Sequence, residues 1–435
     1  MVNIAVAQSG GPTCAINASL LGVFSEALKT ETINAVFGCI NGIEGIINDN
    51  LIDLKMFITS NDDMELLKQT PSAVLGSCRY KLKDYKEDDT IYKQIVANLK
   101  KRKIGAFFYI GGNDSMDTVD KLSSYMAENN IDIKVIGIPK TIDNDLCCTD
   151  HTPGFGSAVK YVCTTIQEII RDSSVYSIDS ITVVEIMGRH AGWLTASTCV
   201  LRANNEVAPH LIYLPESNFS IEKFLEDVRD AKAKHKAVII AVSEGINLTL
   251  GENENMLVDN FGHKYLSGVG KQLENILREN MKCKVRSVEL NVMQRCSSHI
   301  CSKTDIDESV AIGEEAVKCA LRGETGRTLV FRRVRNVPYT VKIDSVPAHE
   351  TANSEKMFPK KWITPQKNNV TDDALKYFLP LIQGNFERFT SRYRNLYFHK
   401  FRNSKDIKKN NLRINLRGLF FQVFCLQFFR LSKIY

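Results

Sequence analysis

The sequence predicts an α/β protein, doubly wound and mostly parallel. Three observations carry this reading. Short apolar runs that read as buried strands alternate with segments whose apolar residues recur at three/four spacing. Two of those runs pass through a glycine loop directly into a helical pattern. Six runs end in residues able to do chemistry, and ligands of open α/β sheets bind at the carboxyl ends of the strands.

Taken in order, Asn3–Gln8 is a short apolar strand. It runs into Ser9-Gly10-Gly11-Pro12-Thr13 and then a helical pattern through Ile16, Leu20, Leu21, Phe24 and Leu28. A strand, a glycine loop and a helix offer backbone N–H groups to a phosphate. The loop matches neither GxxxxGK[ST] nor GxGxxG, and by itself it fits a plain tight turn equally well. Residues 60–103 are polar and charged and read as helices and loops around Arg79. Ile104–Ile110 is the next strand. It leads into Gly111-Gly112-Asn113-Asp114-Ser115 and a helix patterned by Met116, Val119, Leu122 and Tyr125.

The third strand, Ile133–Ile138, stops at Pro139, which has no N–H for a ladder. Lys140-Thr141-Ile142-Asp143-Asn144-Asp145 follows. A lysine, a threonine and two carboxylates so close together suit proton abstraction and the handling of a phosphate or metal. An Asx-rich turn explains this stretch alone as well.

Beyond His151-Thr152-Pro153-Gly154-Phe155-Gly156-Ser157, a helix is marked by Ala158, Val162, Ile166, Ile169 and Ile170. Ile181–Ile186 is a strand ending in Met187-Gly188-Arg189-His190. Ala237–Val242 is a strand ending in Ser243-Glu244-Gly245. Val285–Met293 alternates and ends in Gln294-Arg295. No internal repeat of fixed period is visible. Random loops would not sort their chemistry to one end of a sheet. Gly10 and Gly11, Asp114, Lys140 with Asp143, Arg189, Glu244 and Arg295 therefore read as one active site.

The 435 residues suffice for two domains, and 44% hydrophobic with 24% charged residues is ordinary for a soluble globular protein. The twelve cysteines show no paired spacing; Cys283, Cys296, His299 and Cys301 fit no common zinc pattern and read as incidental. The N-terminus enters a strand at once, so a cytoplasmic location with reduced thiols is expected. Residues 401–435 hold eight Lys/Arg and one acidic residue, Asp406. They carry +7, and the rest of the +6 chain sums to −1. The body is thus no nucleic-acid binder on charge grounds, and no nucleic-acid-binding motif occurs. The apolar run Leu419–Phe429 is far short of the ~20 residues that span a bilayer. It fits an interfacial anchor or a tail outside the fold.

The motifs resemble the phosphofructokinase family. The matching stretches are Gly10-Gly11-Pro12-Thr13, Gly111–Ser115, Pro139–Asp145, Thr152–Phe155, Met187-Gly188-Arg189, Ser243-Glu244-Gly245 and Gln294-Arg295, in the family's order and spacing. The resemblance covers residues 1–390 or so. Within the family the chain looks like the pyrophosphate-dependent branch, because ATP users carry glycine at the positions of Asp114 and Lys140. An aspartate at the first fills the space of the α-phosphate of ATP and repels its charge. The lysine adds a cation beside the transferred phosphoryl group.

The resemblance implies two similar doubly wound, Rossmann-like domains facing a central cleft. One takes about 1–155 plus about 295–345 and the phosphate donor; the other takes 156–294 plus about 346–390 and fructose 6-phosphate. Residues 391–435 form an atypical tail. It implies transfer of a phosphoryl group from pyrophosphate to O1 of fructose 6-phosphate with Mg²⁺, reversibly, in glycolysis, by a homo-oligomer, dimer or tetramer. Asp143 is then the general base, with Lys140, Asp114 and Arg189 as its catalytic companions. Thr141, Ile142, Asp143, Met187, Gly188, Arg189, Glu244, Arg286 and Arg295 bind the sugar phosphate, Arg286 reaching a neighbouring subunit's. Asp145 helps position substrate and metal-bound water. Gly10, Gly11, Arg79 and Gly112 bind pyrophosphate, and Asn113 and Asp114 hold the metal.

Four positions depart from the family pattern. Asn113 replaces the usual metal-binding aspartate. Asn291 and Val292 replace a glycine and a polar or aromatic side chain near the 6-phosphate. Ser180 replaces an arginine that many ATP users lend across a subunit interface. Asn385 replaces an acidic residue. The alternatives are an ATP-dependent 6-phosphofructokinase, should Asp114 and Lys140 swing away, and a catalytically silent sugar-phosphate-binding regulatory subunit. The intact Asp143 argues against the latter.

Overall fold

The computed structural model describes residues 2–248 and 268–385. The basic tail and its apolar run lie outside the described residues. Eleven strands occur among the described residues: β1 Val2–Gln8, β2 Ile33–Cys39, β3 Leu51–Asp53, β4 Ile104–Gly111, β5 Lys134–Pro139, β6 Ser180–Ile186, β7 Leu211–Tyr213, β8 Ala237–Ser243, β9 Lys284–Glu289, β10 Arg327–Asn336 and β11 Tyr339–Pro347. They form two sheets, ordered β11-β10-β5-β4-β1-β2-β3 and β7-β8-β6-β9. The second is parallel throughout. The first is parallel except where β3 and β11 join antiparallel at its two edges.

The central strands are near-continuous apolar runs because both of their faces are covered. All seven residues of β6 are buried. Ile181 and Val183 pack among Phe224, Val228, Leu273 and Leu277 on one side of the sheet. Val184 and Ile186 pack on the other among Val159, Val162 and Ile166 of the Phe155–Ser174 helix. That helix holds the predicted three/four stripe. Its first N–H groups are taken by a remote carboxylate: Asp305 accepts from the N–H of Gly154 at 2.9 Å and of Ser157 at 3.0 Å.

The strand expected over Val285–Met293 is shorter than its alternation suggests. It stops at Glu289, and Met293–Cys296 is a helical turn. The cause is Asn291, whose φ of 43° lies in the left-handed region, where asparagine is tolerated but no strand continues. Gln294 and Arg295 therefore project from a turn beyond the strand.

Candidate functional site

Five of the six chemistry-bearing loops begin within a few residues of a strand end, three in the first sheet and two in the second. In the first sheet the strands are the neighbours β5, β4 and β1. In the second, β8 and β6 supply Glu244 and Arg189, and the segment after their neighbour β9 supplies Arg295. In the first sheet the order reverses about β1, with β2 on one side and β4 on the other, the kind of switch point where a crevice opens.

The glycine loop is built by buried polar bonds. Gln8, at the end of β1, donates to Asn17 Oδ1 at 2.9 Å and accepts from the N–H of Leu75 at 3.0 Å. Asn17 donates to the carbonyls of Thr70 and Ser72, both at 2.7 Å. Ser77 Oγ donates to the carbonyl of Gly10 at 2.7 Å. These bonds draw the segment around Arg79 onto the loop. Gly10 has a φ of 72°, and a Cβ there would stand 3.3 Å from Lys140 Nζ. A Cβ at Gly11 would stand 3.2 Å from Arg295 Nη1. Residues from three distant segments thus converge on two glycines.

Lys140 follows Pro139 at the end of β5 and is 2% exposed. Its ammonium donates to the carbonyl of Gly11 at 2.6 Å. Burial lowers it to about 8; the Asp143 carboxylate pulls the other way, and the Arg295 and Arg79 cations add to the lowering. Asp143 is half-buried, its N–H donating to Thr141 Oγ1 at 3.1 Å. Burial raises its carboxyl to about 7, helped by the Asp145 and Glu244 carboxylates and opposed by Arg189 and Lys140. Such a carboxylate is poised for proton transfer near neutral pH.

The loop between Asp143 and Asp145 turns at Asn144, whose φ is 55°. Asn144 is buried; it donates to Tyr377 Oη at 3.0 Å and accepts from Lys356 Nζ at 3.2 Å. Lys356 also donates to the carbonyls of Thr149 and Asp150, at 3.0 and 2.8 Å. His190 Nδ1 stands 3.1 Å from Glu355 Oε2, and both side chains lie near Asp145.

From the second sheet, Met187-Gly188-Arg189 is gripped on several sides. Gly188 N–H donates to Glu244 Oε1 at 3.3 Å, and Ser243 Oγ donates to the carbonyl of Gly188 at 2.5 Å. A Cβ on Gly245 would lie 1.8 Å from the carbonyl of Arg189, so only glycine fits beneath that loop. Burial raises the Glu244 carboxyl, opposed by the Gly188 N–H and by Arg189 and Arg295. Arg295 Nε is buried with no hydrogen-bond partner among the described residues.

Of the other expected residues, Thr141 joins the site through the carbonyl that accepts from Thr152 Oγ1 at 2.8 Å. Ile142 is 5% exposed and packs in the core beneath the loop. Gly112 precedes the Asn113–Glu128 helix, so Asn113 and Asp114 occupy its first turn. Asp114 is exposed, with Lys81 Nζ 4.0 Å from its Oδ1. Arg286 is not joined to these groups within the chain. It lies along β9, bonds Asp172 at 3.1 Å, and keeps a buried Nε and Nη2 without partners among the described residues. Sequence reasoning missed Lys81, close to Arg79, and gave Gln294 no role. Neither Lys356 nor Tyr377 left a local signal, since both reach the loop from more than 200 positions away.

The family described as Phosphofructokinase matches residues 3–320. A pyrophosphate–fructose 6-phosphate 1-phosphotransferase of Halomonas elongata is 35% identical over 389 residues, 88% of this chain and 92% of the relative. Its namesake in Xanthomonas campestris pv. campestris is 37% identical over 387 residues, with the same coverage of 88% and 92%. The crystal structure of a pyrophosphate-dependent phosphofructokinase from Marinobacter aquaeolei superimposes with a TM-score of 0.80 at 33% identity, covering 93% of this chain and 99% of that one.

Proposed function

The chain belongs to the phosphofructokinase family, and from that premise we propose how its site works. It is a diphosphate-dependent 6-phosphofructokinase that moves a phosphoryl group from pyrophosphate to O1 of fructose 6-phosphate, giving fructose 1,6-bisphosphate and phosphate. The observation that carries the choice of donor is the pair Lys140 and Asp114, one buried against the carbonyl of Gly11 and the other exposed at the next strand end. A carboxylate there repels a nucleotide's α-phosphate, and a buried ammonium favours compact, highly charged pyrophosphate.

We assign the proton transfer to Asp143. Its carboxylate takes the O1 proton as that oxygen attacks the near phosphorus of pyrophosphate. The P–O bond to the leaving phosphate breaks, and the proton is released to solvent or to that phosphate. Lys140 and Arg189 supply positive charge as the phosphoryl group moves, which is where phosphoryl transfer needs a protein most, and Arg295 grips the 6-phosphate of the sugar. Glu244 and the backbone of Met187, Gly188 and Arg189 orient the sugar. Gly10, Gly11, Gly112 and Arg79 face pyrophosphate. Arg286, with two buried donors unpartnered among the described residues, is assigned to a neighbouring subunit's sugar phosphate.

Mg²⁺ is expected with the donor. The described residues contain no group of three or more His, Cys, Asp or Glu placed to hold a metal, while Asn113 and Asp114 offer one amide and one carboxylate. That set would offer a divalent ion two oxygen ligands, one of them charged. When bound, the ion neutralises and clamps the phosphate oxygens.

The proposal extends to a cytoplasmic homo-oligomer, dimer or tetramer. It extends also to a donor domain of about 1–155 plus 295–345 and a sugar domain of about 156–294 plus 346–390. The pairing of β10 with β5 supports the return of the later piece to the first domain. Among the described residues no helix is long and apolar enough to cross a membrane. The test is turnover of fructose 6-phosphate by purified protein with pyrophosphate or ATP. Pyrophosphate should serve and ATP hardly at all; equal rates would refute the donor assignment, and no turnover with either would favour a silent subunit.

A further inference from the structure

Gln294 is 2% exposed, too deep for water to replace its partners. Its Oε1 accepts from the N–H of Met187 at 3.1 Å. Its Nε2 donates to the carbonyl of Asn291 at 3.1 Å, and its own N–H donates to the same carbonyl at 3.2 Å. One end of the side chain is therefore locked to the turn that carries Arg295. The other reaches the loop that carries Arg189.

The location explains the need. The β6–β9 ladder ends with Glu185 opposite Glu289, and β9 then breaks at Asn291. Met187 is the first residue past β6, so its N–H has no strand partner on that side. A buried N–H left unpaired is costly, and the Gln294 amide satisfies it. Ser243 and Glu244 hold Gly188 from the β8 side. Only Gln294 among the described residues bonds this loop from the β9 side.

We infer that Gln294 is a positioning residue that fixes the two sugar-side arginines, Arg189 and Arg295, in one frame. It touches no substrate. It acts by tying two loops whose strands do not hold them together. The inference rests on the proposed reaction only for which substrate feels the tie.

The test compares wild type with Gln294→Met, which keeps the bulk and removes both bonds. In Gln294→Met the KM for fructose 6-phosphate should rise about tenfold, the worth of one buried hydrogen bond, with the KM for pyrophosphate within about twofold. A sugar KM that does not move, or both KM values rising alike, overturns the inference. Amide hydrogen exchange over residues 187–189 needs no substrate and separates this idea from the reaction assignment. Exchange should quicken in Gln294→Met; unchanged exchange in Gln294→Met overturns the inference even if the wild type turns over neither donor. Should the Met variant not fold, Gln294→Asn, which draws the amide back by one methylene, carries the same expectations.

Discussion

Replacing Asp143 by asparagine keeps the shape of the side chain and removes its charge. Two consequences should appear together. Turnover should fall about 10²–10⁴-fold, the usual worth of a general base, with the KM of both substrates little changed. Stability should rise above neutral pH. The folded-state carboxyl titrates near 7, against 3.8 for an unperturbed aspartate. A raised carboxyl means the folded protein holds its proton more tightly than the unfolded chain, so ionisation opposes folding as pH rises from 3.8 towards 7. The full displacement corresponds to about 4 kcal/mol. Water at the partly exposed carboxylate cuts this to about 1–2 kcal/mol. The gain in Asp143→Asn should therefore be complete above pH 7 or so and shrink as pH falls towards 4 or so. Urea unfolding of both proteins at pH 8 and pH 4.5, beside steady-state kinetics, measures this. A variant with near wild-type turnover would place the base elsewhere. A variant no more stable at the higher pH would refute the argument that burial and neighbouring carboxylates raise this group.

The same two titrations predict a narrow bell in kcat/KM against pH. Activity should rise as Asp143 ionises near 7 and fall as Lys140 loses its proton near 8, and the acid limb should vanish in Asp143→Asn. A flat profile from pH 6 to 9 would contradict it. Asp114→Gly combined with Lys140→Gly should lower pyrophosphate use by about 10²-fold and admit ATP weakly; undiminished pyrophosphate use would remove the basis for the donor assignment. Removal of residues 400–435, where the charge steps up, should leave folding and activity near normal and improve solubility. A truncated protein that fails to fold, or full-length protein that binds anionic vesicles in a salt-sensitive way, would defeat that reading.

Much of the sheet architecture could be read from the chain because β1, β4, β5, β6 and β8 are covered on both faces. Such strands must be apolar throughout, and an apolar run bounded by Gly or Pro is a local signal. Apart from β9, read from its alternation, the remaining strands gave none. β2 is interrupted by Asn34 and Gly38, and β7 is only three residues long. The outer half of β10 is largely solvent-facing and carries Arg332, Arg333 and Arg335, so it does not look like a strand at all. The over-long Val285–Met293 strand came from alternation that continues past the point where Asn291 turns the backbone.

For the site, the sequence by itself determined which residue types stand at which strand ends. The lysine, the aspartates, the glycine loop and the arginines are chemistry that any fold must place somewhere, and adjacency in the chain fixed their local order. Tertiary structure alone decided who meets whom. It set Arg295 against Gly11 and Lys140, tied Asn144 to Lys356 and Tyr377, turned Arg286 aside to Asp172, and gave Gln294 two loops to join. It also set the acid–base character of the site. An aspartate titrates near 4 in an unstructured chain; Asp143 moves to about 7 because burial strips its water and the carboxylates of Asp145, two residues on, and of Glu244, from the other sheet, come close, and neither the desolvation nor the approach of Glu244 is written in the order of residues.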